Sequence, residues 1–184
     1  ALIMAGGRPS YQANGGSNFR SKKYPAITSG VMYVGDAVKV SSGVVKPIAH
    51  AATALASAPC LGFVSHFVDA NERPPTFALP NGNIGKPAGS AGWFAYVYDD
   101  PDIVFEIETN GTASAGLIGG VHSIVSATPT TALGQSGNQL SDVAASAGDG
   151  QFAVVGVRQD VSGSNAANSH ALVMIKRHTY RNGI

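Results

Sequence analysis

Hydrophobic and polar positions alternate in short stretches along most of this chain, and turn residues punctuate them every 8 to 15 positions. Residues 31–34 read as a short strand. Residues 37–40 alternate, Ser41, Ser42 and Gly43 turn the chain, and residues 44–48 return, which predicts a hairpin. Residues 60–68 and 76–79 read as strands, with a loop at 69–75. Residues 93–98 set Trp93, Ala95 and Val97 against Phe94, Tyr96 and Tyr98, the two faces of a strand. Residues 117–126 form a strand interrupted by Gly119 and Gly120. Residues 151–158 and 170–178 are strands around a polar loop at 160–169, and 128–150 is mostly loop. Residues 49–58, rich in alanine, suit a helical turn or a loop equally.

The most informative stretch is 99–111. Asp99, Asp100, Pro101 and Asp102 make a tight turn, because proline fixes φ and aspartates bond their own backbone. Ile103, Phe105 and Ile107 then alternate with Val104, Glu106 and Glu108, the pattern of a half-buried strand whose two glutamates share a solvent face. Asn110-Gly111 is a strong hairpin signal. Strands at this spacing without long helices predict an all-β fold, a compact barrel or sandwich. A boundary near residues 87–92 would divide it into lobes 31–90 and 91–184.

Residues 1–30 differ from this β domain (31–184). They hold Arg8, Arg20, Lys22 and Lys23 and no acid, are rich in Gly, Asn and Ser, and show no sustained period. They read as an extended basic arm that does not pack by itself and orders against a partner or a neighbouring subunit. Tyr11, Phe19 and Tyr24 favour that reading over a frayed terminus, since disordered tails carry few aromatics. Deleting the arm is then expected to leave a folded body.

The chain has 184 residues, enough to bury a core without disulfides. Only 12% are charged, about half the usual share, so the surface repels copies of itself weakly. Cys60 is the single cysteine, in an apolar context that suits a buried inert thiol; it excludes an internal disulfide and any multi-cysteine zinc site. No apolar run approaches the length of a membrane span, and the apolar start is too short for a signal peptide, so synthesis in the cytoplasm is expected.

Chemistry is sparse. The segment ending in Gly85-Lys86-Pro87 lacks phosphate-loop spacing, and Gly134-Gln-Ser-Gly137 is one residue short of a nucleophile elbow. His50, His66, His122, His170 and His178 show no paired metal spacing. His170 is expected at a polar strand edge and His178 half-exposed. The acids of 99–108 admit calcium binding, or a carboxylate pair for glycoside chemistry, but two glutamates side by side on one strand do not face across a cleft. The favoured reading is electrostatic: the acidic strand receives a basic arm of the same or an adjacent copy. A basic stripe with stacking aromatics is not evident, so no direct nucleic-acid binding is expected. No cofactor, metal or catalytic residue emerges, and an enzyme is not the expected class.

The stretch Val97-Tyr-Asp-Asp-Pro-Asp-Ile-Val-Phe-Glu-Ile-Glu-Thr-Asn-Gly111 resembles a recurring segment of small structural proteins of tailed bacteriophages. The likeness continues through Leu117-Ile-Gly-Gly120, Gly134-Gln-Ser-Gly-Asn-Gln-Leu140, Val155-Gly-Val-Arg-Gln-Asp160 and Val173-Met-Ile-Lys-Arg-His178. The hairpin Gly35-Asp-Ala-Val-Lys-Val-Ser-Ser-Gly-Val-Val-Lys46 with Leu61-Gly-Phe-Val64 is similar to the opening of other capsid-decorating β domains, with β-tulip or SH3-like lobes. The resemblance implies a capsid decoration protein, also called a cement or auxiliary protein. Such a protein sits on the outer capsid surface of the virion, commonly as a homotrimer, and stabilises contacts between major capsid proteins. It implies no membrane partner. The arm would then bind in trans, with Tyr11, Phe19 and Tyr24 as anchors, Arg20, Lys22 and Lys23 setting register, and Glu106 and Glu108 at the interface. The rival reading is a carbohydrate-binding β module on a virion or cell surface, stacking sugars on Trp93, Phe94, Tyr96 and Tyr98.

Overall fold

A computed structural model describes residues 6–16, 18–48, 58–75, 85–86, 88–127, 129, 134–145, 150–158 and 169–181. The expected strand at 76–79, and all but one end residue of the alanine-rich segment 49–58 and of the polar loop 160–169, lie outside them. The described residues are all-β, in two packed sheets. In chain order the strands are β1 (Arg8–Gln12), β2 (Lys22–Pro25), β3 (Ala37–Ser41), β4 (Val44–Pro47), β5 (Gly62–Val68), β6 (Phe94–Tyr98), β7 (Ile103–Glu108), β8 (Val121–His122), β9 (Ile124–Ser126), β10 (Asn138–Leu140), β11 (Phe152–Arg158) and β12 (His170–Ile175). A 3₁₀ turn, Ala115–Leu117, precedes β8.

The first sheet runs β1-β7-β12-β11-β8, the second β2-β6-β5-β3-β4, and β9 pairs with β10. Pairings within both five-stranded sheets are antiparallel. Two of the isolated parallel bridges join strands that the ladders leave apart. Ala26 bridges Val45, linking the chain after β2 to β4, and Thr109 bridges Leu140, linking the end of β7 to β10. The expected boundary near 87–92 does not separate the sheets, since β6 lies beyond it yet pairs with β5 and β2.

Within residues 1–30 the described part is not loose. β1 and β2 each take an edge of a different sheet, β1 against β7 and β2 against β6. The reading of an arm that cannot pack by itself is corrected here. An edge strand adds a full ladder of backbone bonds wherever a sheet offers a free edge, whatever its side-chain periodicity.

The β3–β4 hairpin forms as its sequence predicts. Ser41 pairs with Val44 across a two-residue turn in which Ser42 (φ 53°) and Gly43 (φ 79°) both take left-handed conformations, the twist that flanking strands require. The Asn110-Gly111 signal does not make a hairpin. β7 pairs with β1 and β12, distant in sequence, and Asn110 instead receives a bond from the Asp142 N–H (2.9 Å) while its own N–H donates to Leu140 O (2.9 Å).

Two cores result. The main one lies between the sheets and gathers Ile103, Phe105, Ile107, Phe152, Val173 and Ile175 of the first sheet with Ala37 and Phe63 of the second. Phe63 is its bolt, with ring centroids 4.7 Å from Phe105 and 5.5 Å from Phe152. Burying such a ring is worth about 1.5–3 kcal/mol. Gly7 passes over it so closely that a Cβ would lie 2.2 Å from the ring, which fixes glycine ahead of β1. The second core, around Val38, Val45, Leu61, Val64, Phe67, Ala95 and Val97, lies on the other side of the second sheet.

Candidate functional site: the acidic strand and what covers it

Alternation along β7 turns Ile103, Phe105 and Ile107 into the main core and leaves Val104, Glu106 and Glu108 on the outer face. That outer face is not a solvent face for the glutamates. Glu106 is 5% exposed and Glu108 2%, which corrects the expectation of two solvated acids. The reason is tertiary: β7 is flanked by β1 and β12, and side chains of β1 and β11 fold over it.

Each oxygen of Glu106 carries its own arginine. Arg8 Nη2 donates to Oε1 at 2.9 Å, and Arg158 Nη1 donates to Oε2 at 2.9 Å. His170 Nδ1 stands 4.0 Å from Oε1. Burial pushes the Glu106 carboxyl up, but the Arg8 bond and the charges of Arg8, Arg158 and His170 together hold it below the usual carboxylate range. It is a fixed anion, closed by two charge-assisted bonds, and not a group poised to exchange protons near neutrality. Glu108 Oε1 accepts from Gln139 Nε2 at 2.8 Å, while His170 stands opposite Glu108 in the β7–β12 register. Among the described residues no group of three or more His, Cys, Asp or Glu side chains is placed to hold a metal ion.

The arm residues meet acids of the same chain. Lys22 Nζ lies 3.6 Å from Asp99 Oδ2, and Tyr24 Oη donates to the same oxygen at 2.5 Å. Burial and that carboxylate raise the Tyr24 phenol above its ordinary range. Lys23 bonds Glu72 and sits 4.1 Å above the Phe94 ring. Phe19 is half-buried, edge-on to Tyr98 at 6.3 Å. Tyr11 is 41% exposed on β1, and Arg20 is exposed in the β1–β2 connection. The structure thus brings Lys22 and Tyr24 together, sets Lys23 and Phe19 apart from them, and places Glu106 and Glu108 on the other sheet. The sequence led to the expectation that the basic arm meets the acidic segment, and Arg8 on Glu106 and Lys22 on Asp99 are such contacts within one chain; Arg158 and Gln139 are the partners that sequence reasoning did not single out. Arg8 and Glu106 are 98 positions apart, and only the β1–β7 register sets them side by side.

The aromatic residues of β6 and its approach do not form an open platform. Trp93 packs on the second core, Phe94 is covered by Lys23, Tyr96 stacks on His66 at 4.3 Å, and Tyr98 meets Phe19. His178, expected half-exposed, is buried, with Nδ1 accepting from Tyr180 N at 3.2 Å; burial lowers its pKa. His170 is half-buried.

Two motif-like segments serve the fold. Lys86 is buried and its Nζ donates to Thr28 O and Gly30 O, both at 3.2 Å. Ser136 of the Gly134-Gln-Ser-Gly137 element is buried, and its Oγ donates to Asp36 Oδ1 at 2.6 Å while accepting from Asn138 N at 3.0 Å. Asp36 Oδ2 accepts from Tyr33 N at 2.8 Å, and burial pushes Asp36 up to about 6. The recess beside Asp36 and Asn138 is about 120 Å³, well under the ~300 Å³ of a typical ligand site.

Comparison with protein-family models, curated proteins and solved structures found no match for this chain.

Proposed function

We propose that the chain is a structural protein of a phage virion: a decoration protein that binds the outside of the capsid shell, acts without catalysis and stabilises contacts between major capsid proteins. The observation that carries the reading is the state of Glu106. One of the two buried acids of the acidic strand is bound at both oxygens by arginines from two other strands, as a part that locks a scaffold rather than one that meets a substrate. The resemblance of residues 97–178 to phage structural proteins supplies the class, and the all-β sandwich suits it. Its partners are the major capsid protein and, as in that class, two further copies of itself.

The mode of binding differs from a tail that folds on its partner. Arg8, Lys22 and Lys23 are already engaged within the chain. Contact is therefore made by a preorganised body, and the entropy of ordering an arm does not oppose it. Tyr11 and Arg20 stay exposed on that body, open to a partner.

The test is co-sedimentation of the purified protein with expanded empty shells of the phage that encodes it, followed by electron microscopy of the decorated particle. Saturable binding at regular outer positions is expected. A protein that stays in the supernatant, and adds no density to the shell, ends the proposal.

A further inference from the structure

The cross-strand register of the first sheet sorts its outer face into rows. Residues directly opposite one another on paired strands point to the same side. Tyr11 faces Val104, Val104 faces Met174, Met174 faces Ala153, and Ala153 faces Val121. This is one apolar row across all five strands, opposite the face that forms the main core; Val104 is buried within it, Tyr11 is exposed, and Met174, Ala153 and Val121 are half-buried. The next row holds Arg8, Glu106 and Leu172, and the row beyond it Glu108, His170 and Arg158. The bulge between Val154 and Gly156 pushes Val155 outward, 41% exposed.

The charges of this face are layered. Both carboxylates lie underneath, at 5% and 2% exposed, while the Arg8 and Arg158 side chains above are 46% and 64% exposed. An approaching surface meets guanidinium groups and apolar side chains, and hardly touches the anions. A second copy offering the same face would set exposed arginines against exposed arginines, with the acids buried beneath, so self-pairing here is poorly matched.

We infer that this outer face is the docking surface, and that its occupant is a protein surface presenting acidic side chains among apolar ones. The inference rests on the shell-binding reading and names the face that would carry it. Arginine and tyrosine beside apolar groups are the side chains that dominate interface energetics. Five strands ~4.8 Å apart and three rows ~7 Å apart give a patch on the order of 400 Å², half the ~800 Å² per partner of a stable one-to-one complex. A single copy therefore holds weakly, and a trimer that engages three shell sites at once supplies the strength.

The experiment compares full-length wild type with Val155→Asp, Tyr11→Ser and Arg158→Gln in co-sedimentation with the empty shells, each first checked for a wild-type melting curve. Arg73→Gln, on the loop after β5 of the other sheet, is the matched loss of one charge. Val155→Asp and Tyr11→Ser are expected to weaken binding at least tenfold. Arg158→Gln should weaken it several-fold, by an amount that shrinks as salt is raised, and Arg73→Gln should bind as wild type. Face variants that bind as wild type, or an Arg73→Gln variant that loses as much, would overturn the assignment while leaving shell binding intact. Face variants that change the mass of the protein in solution without changing shell binding would make this a self-association surface and likewise overturn it. Wild type that does not bind shells removes the functional reading, and this face with it.

Discussion

Removing both arginines from Glu106 should do more harm than removing Glu106 itself. In Arg8→Ala/Arg158→Ala the carboxylate, 5% exposed beneath those side chains in the wild type, keeps its place on the sheet with neither guanidinium bonded to it. Stripping partners from a fully buried ion costs about 3–5 kcal/mol. Here the two arginine side chains are about half exposed, and water reaches their side of the pair, so roughly 2–3 kcal/mol is the expected loss. Glu106→Gln leaves two arginines that solvent can hydrate, and should lose about 1 kcal/mol or less. The pH dependence separates these effects from general damage. In the wild type the Glu106 carboxyl is held below its ordinary range, so its ionisation stabilises the fold; that contribution is present above the ordinary value and lost as pH falls through the folded one. In the double variant the Arg8 bond and both arginine charges are gone and only the charge of His170 still opposes burial, so the carboxyl rises and its ionisation no longer stabilises the fold. The deficit of the variant should therefore shrink between about pH 7 and about pH 5. Urea unfolding followed by Trp93 fluorescence measures it, and taking the difference from wild type cancels Asp36, which titrates in both proteins. A deficit that is the same at both pH values, or a double variant as stable as Glu106→Gln, would refute the account.

Asp36 should give the wild type its own slope. Its folded value is raised from 3.8 to about 6, so the protein is most stable with this carboxyl protonated and loses stability as pH rises through that window, by on the order of 3 kcal/mol. Asp36→Asn should flatten the profile whatever it does to the overall level; an unchanged slope assigns the titration elsewhere. Burial pushes the Cys60 thiol up to about 12, so iodoacetamide should leave the native protein unmodified and label it fully in denaturant; stoichiometric labelling of native protein would contradict this. Deleting residues 1–26 removes β1 and β2 and bares the edges of β7 and β6, so the fragment should aggregate or lose cooperative unfolding. A soluble fragment with a sharp melting transition would restore the loose-arm reading.

The strands read most surely were those whose cause is local. The β3–β4 hairpin follows from two turn residues tolerant of positive φ, and the inward Ala95 and Val97 of β6 follow from a period of two. Cys60 sits among apolar neighbours in sequence and is buried in space. Asn110-Gly111 shows the limit. A local turn preference worth little was outweighed by the ladders that β7 makes with β1 and β12.

What this sequence determines by itself is the class of structure and the side of each strand that faces inward, because periodicity and turn chemistry act over a few residues. What only the tertiary structure decided is what lies against the other side. The alternation of β7 shows that Glu106 and Glu108 share a face, but a strand pattern holds no information on which strands flank it or which side chains cover it. Arg8 and Arg158 reach Glu106 from 98 and 52 positions away, through pairings whose register is set by the main core beneath them. Two acids that read as solvated are for that reason the buried anchor of the first sheet.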